Sequence, residues 1–184
     1  MTSSLRGRLL VATPPLVDPN FDRTVVLVLE HGDDGALGLV LNRPSATELD
    51  DALPDWDPLA SEPGVVFVGG PVSPDAVIAL ARAPGAAGGD GWVPIMHDLG
   101  TVDIGRDPAT LSIDLVALRV FVGYAGWAPN QLEDEIDKGA WFTVRAEPGD
   151  PFVSDPGGLW RAVLRRQRGR VAMFANCPAD ASVN

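Results

Sequence analysis

The chain is poor in the side chains that most often carry chemistry: 184 residues contain one cysteine, Cys177, and two histidines, His31 and His97. A lone thiol forbids an intrachain disulfide and excludes a four-thiolate metal site, so a reducing cytoplasm is the expected setting. Neither histidine has another three to five residues away, the spacing of a histidine-based metal site, and no metal or cofactor is expected. Phosphate-loop, nucleophile-elbow and dinucleotide-fingerprint patterns are all missing, which removes the commonest nucleotide-binding and esterase readings. Long apolar runs are missing too. Stretches such as Val25 to Leu29 fall far short of the roughly 18 residues a membrane-crossing helix needs. Met1 to Leu10 has two arginines but no apolar core of about 7–15 residues, so no secretory signal is expected. Positive charge is scarce as well: 14 basic residues against 25 acidic ones give a net charge of −11. Such a field repels phosphate backbones and anionic lipid, so neither nucleic acid nor a membrane is the expected partner.

What is present suits one ordinary domain over residues 1–184, with 46% hydrophobic residues and 20 glycines. Chains near this length bury roughly 70% of their extended surface. Leu9 to Ala12 reads as a short strand stopped by Thr13-Pro14-Pro15, since proline cannot donate to a ladder. Asp18-Pro19-Asn20 is a turn. Thr24 to Glu30 and Ala36 to Asn42 are β-branched apolar runs around a glycine-containing loop at 31–35, the pattern of an antiparallel hairpin. Neither run alternates, so both faces are expected to be covered. Residues 44–63 hold six acids and no base, which predicts a solvated loop with one helical turn near Thr47 to Leu53. Val65 to Val68 is a buried strand. Ser73, Pro74 and Asp75 have the cap, first-position and first-turn chemistry of a helix start, predicting a helix from 73 to about Arg82. Pro84 to Gly91 is a loop, Val93 to Met96 a short strand or turn, and Asp107-Pro108 the start of a helical turn. Leu115 to Val122 and Trp141 to Val144 are strands. Asn130 with Glu133 three residues on predicts a capping box, with Gly139 ending the helix. Asp155 and Pro156 open a last helix to Gly169 that buries Leu159, Trp160, Val163 and Leu164. A hairpin followed by mixed strands and helices favours an α+β fold over a doubly wound sheet.

Candidate functional residues fall into several groups. With a loop at 31–35, the hairpin places Thr24 opposite Asn42 and Arg23 near Arg43, with His31 at the other end roughly 20 Å away at about 3.3 Å per residue. One corner thus gathers Arg23, Asn42 and Arg43 beside Asp18 and Asp22, as either an anion site or an ion-pair network. Gly69 and Gly70 precede a capped segment and could aim N–H groups at an anion, or could simply make a tight bend. Glu30 and His31 sit at the hairpin tip. Tyr124, Trp127, Trp141 and Trp160 read as core aromatics with their polar tips hydrogen-bonded, or else as a stacking surface. The stretch from Gln131 to Glu135 offers the carboxylates of Glu133 and Glu135, which capping and helix-dipole effects also explain. Five arginines, Arg161, Arg165, Arg166, Arg168 and Arg170, lie in one acid-free stretch. They suit a helix C-terminus and, less well, a nucleic-acid patch.

Several of these segments together resemble the YqgE/AlgH family of bacterial proteins. They are Leu10 to Pro14; Asp18-Pro19 with Phe21 and Arg23 to Val26; Glu30-His31; Gly35-Ala36 and Gly38; Asn42 to Pro44; Gly69 to Val72; Gly123 to Trp127; Gln131 to Glu135; the Trp160 region; and the Pro178 to Asn184 tail. The resemblance runs in order along almost the whole chain and is weakest over 45–64 and 83–110. It implies a cytoplasmic, single-domain α+β protein with a mostly antiparallel, curved and partly barrel-like sheet and a few flanking helices. A transcriptional-regulator label attaches to some members, but no helix-turn-helix pattern or basic surface supports it here. The family pattern falls on Asp18, Phe21, Arg23, Glu30, His31, Asn42, Pro44, Gly69, Gly70, Tyr124, Trp127, Gln131 and Glu133. The sequence therefore points to a non-enzymatic binding or regulatory module that meets a small anion or a protein partner near Arg23, Asn42 and Arg43. The rival is a hydrolase with His31 or Glu133 as general base.

Overall fold

The computed structural model describes residues 3–14, 18–89 and 91–177. Pro15, expected to help stop the first strand, and the Pro178–Asn184 tail lie outside the described residues. Among these, the strands in chain order are β1 Arg8–Ala12, β2 Val25–Gly32, β3 Gly35–Val40, β4 Pro44–Glu48, β5 Val65–Val68, β6 Val72–Arg82, β7 Trp92–Met96, β8 Leu99–Val102, β9 Ala117–Trp127 and β10 Trp141–Arg145. The α-helices are short: α1 Leu49–Ala52, α2 Gln131–Asp137, α3 Leu159–Arg165 and α4 Arg170–Met173. The strands form one sheet in the order β10-β1-β2-β3-β9-β6-β8-β7, with β4 paired to β5 and β5 also paired to β9. Only the β5–β9 pairing is parallel. The sheet curls into a half-barrel, and the class is α+β as the sequence indicates.

The hairpin register is as expected near its base, where Val26 pairs Val40 and Val28 pairs Gly38. The loop is shorter than expected. A bulge between Val28 and Glu30 shifts the pairing by one, so that His31 faces Ala36 and Gly32 faces Gly35. Gly35, at φ 117°, closes a turn of only Asp33 and Asp34. Such a bulge sets two residues of one strand against one of the other and re-aims the side chains beyond it.

Both faces of β1, β2 and β3 are covered, which explains why their apolar runs do not alternate. Leu9, Val11, Leu27, Leu39 and Leu41 pack with Leu159, Trp160, Val163 and Leu164 of α3. Leu10, Ala12, Val26, Val28 and Val40 pack with Trp127, Trp141 and Leu132 of α2. The last helix therefore buries the four residues expected, but it is broken: a 3-10 turn over Pro156–Gly158 precedes α3, and α4 follows as a separate short helix. The acidic stretch is likewise more structured than a loop, since β4 pairs β5 before the helical turn α1.

The helix expected over 73–82 is instead β6, an eleven-residue strand. The start signals at Ser73 and Pro74 fall inside a bulge, where the register with β9 shifts between Val72 and Val77. Ser73 takes φ 45° there, and proline in a bulge removes no ladder bond. From Val77 to Arg82 the segment pairs with β9 on one side, and from Ala79 with β8 on the other. Ala79, Leu80 and Ala81 are buried in succession. Pairing on both edges outweighs a modest helical preference, because β propensity is mostly a matter of packing context.

β9 is the hub of the sheet. Its C-terminal end pairs β3, its middle runs parallel to β5, and nearly its whole length pairs β6. The crowding is resolved by glycine. Gly123 has φ 71°, and a β-carbon there would overlap the carbonyl oxygen of Gly70. Side chains at Gly69 and Gly70 would collide with the backbone of Gly123 and Tyr124 in turn. Arg119 of β9 is 2% exposed. It donates to the carbonyls of Pro151 at 2.8 Å, Val153 at 3.1 Å and Glu62 at 2.6 Å, and stacks 4.2 Å over the Phe67 ring. Burial pushes its guanidinium down to about 10, so it stays charged at neutral pH, its cation shared among carbonyl dipoles.

Two variants test this hub, with Gly139→Ala, away from it, as the reference. Gly139 has φ 79° with open space around it, so Gly139→Ala is expected to cost about 1 kcal/mol, the backbone term alone. Gly123→Ala adds backbone overlap and is expected to cost about 3 kcal/mol or more by urea denaturation. Arg119→Lys leaves carbonyls that one ammonium cannot reach together, and is expected to lose about 2–4 kcal/mol.

Candidate functional site

The corner expected to hold an anion is tied largely to the protein's own main chain. Arg23 has φ 53°; its Nη2 donates to the Cys177 carbonyl at 3.1 Å and its guanidinium lies 4.6 Å over the Trp160 ring. Arg43 reaches another way, donating to the carbonyls of Pro19 at 2.9 Å and Asp22 at 3.2 Å. Asn42 spans the hairpin base, accepting from Val25 N–H and donating to the Arg23 carbonyl. Asp18 accepts from the Asn20 N–H and shapes the turn. The chain thus brings Arg23 and Arg43 near each other in sequence register but aims their heads at different partners. A niche of about 60 Å³ remains, bordered by Asn20, Arg43 and Gly70.

His31 and Glu133 meet. The His31 side chain is 4% exposed, and its Nε2 lies 2.6 Å from Glu133 Oε1. Its Nδ1 accepts from the Leu5 N–H at 3.0 Å. A backbone N–H can only donate, so Nδ1 is unprotonated, and the proton sits on Nε2, donated to Glu133. The ring is therefore held as one neutral tautomer with both nitrogens occupied. Glu133, bonded by its own main-chain N–H and by His31, is held below the ordinary carboxyl range. This pairing replaces the expected capping box: Asn130 adopts φ 65° with no side-chain cap bond, and Gln131 Oε1 takes the Ala128 N–H instead. Glu135 Oε2 accepts both the Trp127 and Trp141 indole N–H groups at 2.9 Å, while Gln131 donates to its other oxygen. Phe21 stacks on the Trp127 ring and meets Trp141 edge-to-face. Tyr124, opposite Val72, packs at the core margin.

The arginine-rich segment is partly engaged within the molecule. Arg166 forms a two-pronged pair with Asp150 at 2.6 Å for each contact, and Arg161 donates to the Ala175 and Cys177 carbonyls.

A cavity of about 470 Å³ opens at the mouth of the half-barrel. Leu29 and Leu37 come from the hairpin, Ile78 from β6, Val93 and Ile95 from β7, and Ile104 from beyond β8. Arg6, Glu30, Thr101 and Asp103 supply the polar border. The bulge in β2 is what puts two consecutive residues, Leu29 and Glu30, on this wall while His31 turns to α2. Arg6 closes the seam between the curl's margins: its Nε donates to Leu29 O of β2 at 3.0 Å and its Nη2 to Pro94 O of β7 at 2.9 Å. Gly7 N–H bonds Val28 O, and Gly7 sits against Met96. Residues 4–7 thus form a strap between β2 and β7, pinned at Leu5 by His31. Of the expected candidates, only Glu30 borders this cavity. Arg6 and Glu30 are too far in sequence from Thr101 and Asp103 to suggest them; the i, i+2 spacings of Val93 with Ile95 and of Thr101 with Asp103 were the local signals.

Comparison with known proteins is consistent along the chain. A family model described as AlgH-like matches residues 9–172. A UPF0301 protein of Streptomyces coelicolor is 54% identical over 99% of this chain and 96% of its own length. One from Mycobacterium tuberculosis is 40% identical over 97% and 90%. A crystal structure of a Corynebacterium diphtheriae protein superposes with a TM-score of 0.85 at 30% identity, covering 93% of this chain and 91% of that one. The solution structure of the AlgH protein from Pseudomonas aeruginosa gives 0.68 at 28% identity, covering 98% of each.

The His31 tautomer is directly measurable. Nitrogen-15 spectra are expected to show protonated Nε2 and unprotonated Nδ1, and a protonated Nδ1 would contradict the Leu5 bond. Because the folded state lowers the Glu133 carboxyl, its stabilisation is complete above the unfolded value near 4.5 and is lost as pH falls through the lower folded value. The stability gap between wild type and Glu133→Gln is therefore expected to be constant near neutrality and to close below about pH 4.5.

Proposed function

The chain belongs to the AlgH-like family, and on that footing we propose that it is a non-catalytic binding protein whose site is the mouth of the half-barrel. The observation that carries this reading is the cavity of about 470 Å³ with an apolar wall and a sparse charged border, the make-up of sites that hold small organic ligands. The hydrolase reading needs a base with a free lone pair. His31 has none to offer, since Nδ1 is filled by Leu5 N–H and Nε2 faces Glu133. The regulator reading by DNA contact finds little support in a chain of net charge −11 whose Arg161 and Arg166 are bonded internally.

A second reading keeps the ligand at Arg43. The niche beside Arg43 and Gly70 favours a small anion there, and phosphate is then expected to raise the melting temperature of wild type but not of Arg43→Ala.

The mouth is tested with N-phenyl-1-naphthylamine, an uncharged apolar fluorophore. Its emission is expected to rise on the wild-type protein and to stay low on Val93→Trp, which fills the mouth from a position 56% exposed and so tolerant of substitution. Arg43→Ala is expected to bind like wild type. Absent binding, or binding undiminished by Val93→Trp, would remove the mouth as the site.

A further inference from the structure

We propose that the mouth takes an amphipathic organic cation, an alkyl or aryl ammonium whose apolar body lies on Leu37, Ile78 and Ile95 and whose charge meets Glu30; this rests on the mouth being the binding site. The three ionisable side chains on the border are not equivalent. Arg6 is committed to two carbonyls on opposite margins of the curl, which holds its head in the seam and leaves only its remaining N–H groups to a ligand. Asp103 accepts from Gly105 N–H at 2.9 Å and faces Arg106 Nε at 3.6 Å. The Glu30 carboxylate has no hydrogen bond or ion pair among the described residues, although it stands beside Leu29 and Leu37 on the apolar wall. A carboxylate in that position offers acceptor oxygens that the protein itself leaves to solvent, next to surface that an alkyl or aryl group would cover.

Two further observations narrow the occupant. The net charge of −11 raises the local concentration of cations and lowers that of anions near an open mouth. A peptide laid along β7 as an added strand is blocked: Trp92 spends both its main-chain N–H and its carbonyl on Gly89, and Pro94 has no N–H to give while its carbonyl holds Arg6. The strand edge is closed at Trp92 and Pro94, which favours a small molecule entering through the apolar wall. An exposed carboxylate pairs weakly with a bare ammonium, so the apolar body is needed for retention and the charge for choice.

The test displaces the naphthylamine fluorophore from the full chain with octylammonium, octanol and octanoate at neutral pH. Octylammonium is expected to displace it at about three- to fivefold lower concentration than octanol, the range an exposed ion pair supplies, with octanoate weakest. The advantage is expected to vanish in Glu30→Gln and to shrink at high salt. Octanoate displacing best, or an ammonium preference that survives in Glu30→Gln, would overturn the assignment. Equal displacement by all three would also overturn it while leaving the mouth as an apolar site. Failure of all three to displace a bound fluorophore would overturn it as well, whereas absent fluorophore binding would remove the mouth together with it.

Discussion

The sheet depends on one close approach of backbone to backbone, where Gly69 and Gly70 at the end of β5 lie against Gly123 and Tyr124 of β9. Any β-carbon there would overlap a main-chain atom, so three glycines are a steric condition of the fold. Because this contact lets β5 run parallel to β9 while β6 and β3 take its edges, a single eleven-residue strand joins the hairpin half of the sheet to the β6–β8 half. Without that junction the two halves would share no curl, and the cavity between Leu37 and Ile78 would have no second wall. The same junction buries Arg119, whose cation is shared by carbonyls from two loops and so fixes both against β9.

The open end of the curl is managed differently from the packed end. Beside α3 the core is filled, and the Trp160 indole is anchored to the Ala12 carbonyl at 2.9 Å. Along the β2–β7 seam the strands never pair; a strap of four residues bridges them through Arg6 and Gly7. The strap is pinned by a buried neutral histidine, which explains a histidine and a glutamate placed where a reader of catalytic motifs would see a base. His31 and Glu133 hold a boundary of the mouth in place. That geometry leaves the His31 ring no free lone pair.

Much of the architecture was legible because it rests on local chemistry. The β-branched runs of β2 and β3, the strand Val65–Val68, the turn at Asp18, and the four buried residues of α3 all follow from side-chain type and spacing. The errors have specific causes. Ser73 and Pro74 look like a helix start, but they occupy a bulge, and the pairing of β6 on both edges overrode the local preference. Asn130 and Glu133 have capping-box spacing, yet Glu133 found a stronger partner in His31, 102 residues away in sequence. Arg23 and Arg43 were correctly placed at one end of the hairpin, but register fixes Cα positions and not the direction of a long side chain.

The α+β class, the family pattern, the hairpin and the scarcity of catalytic side chains are already written in the chain, since composition and short-range periodicity need no folding to exist. That Arg6, Glu30, Val93 and Asp103 border one cavity, and that His31 is a clasp, emerges on folding. Those relations depend on a bulge at Leu29 and on the curl imposed by β9. Both arise when distant strands compete for the same backbone hydrogen bonds, a competition no local window of sequence contains.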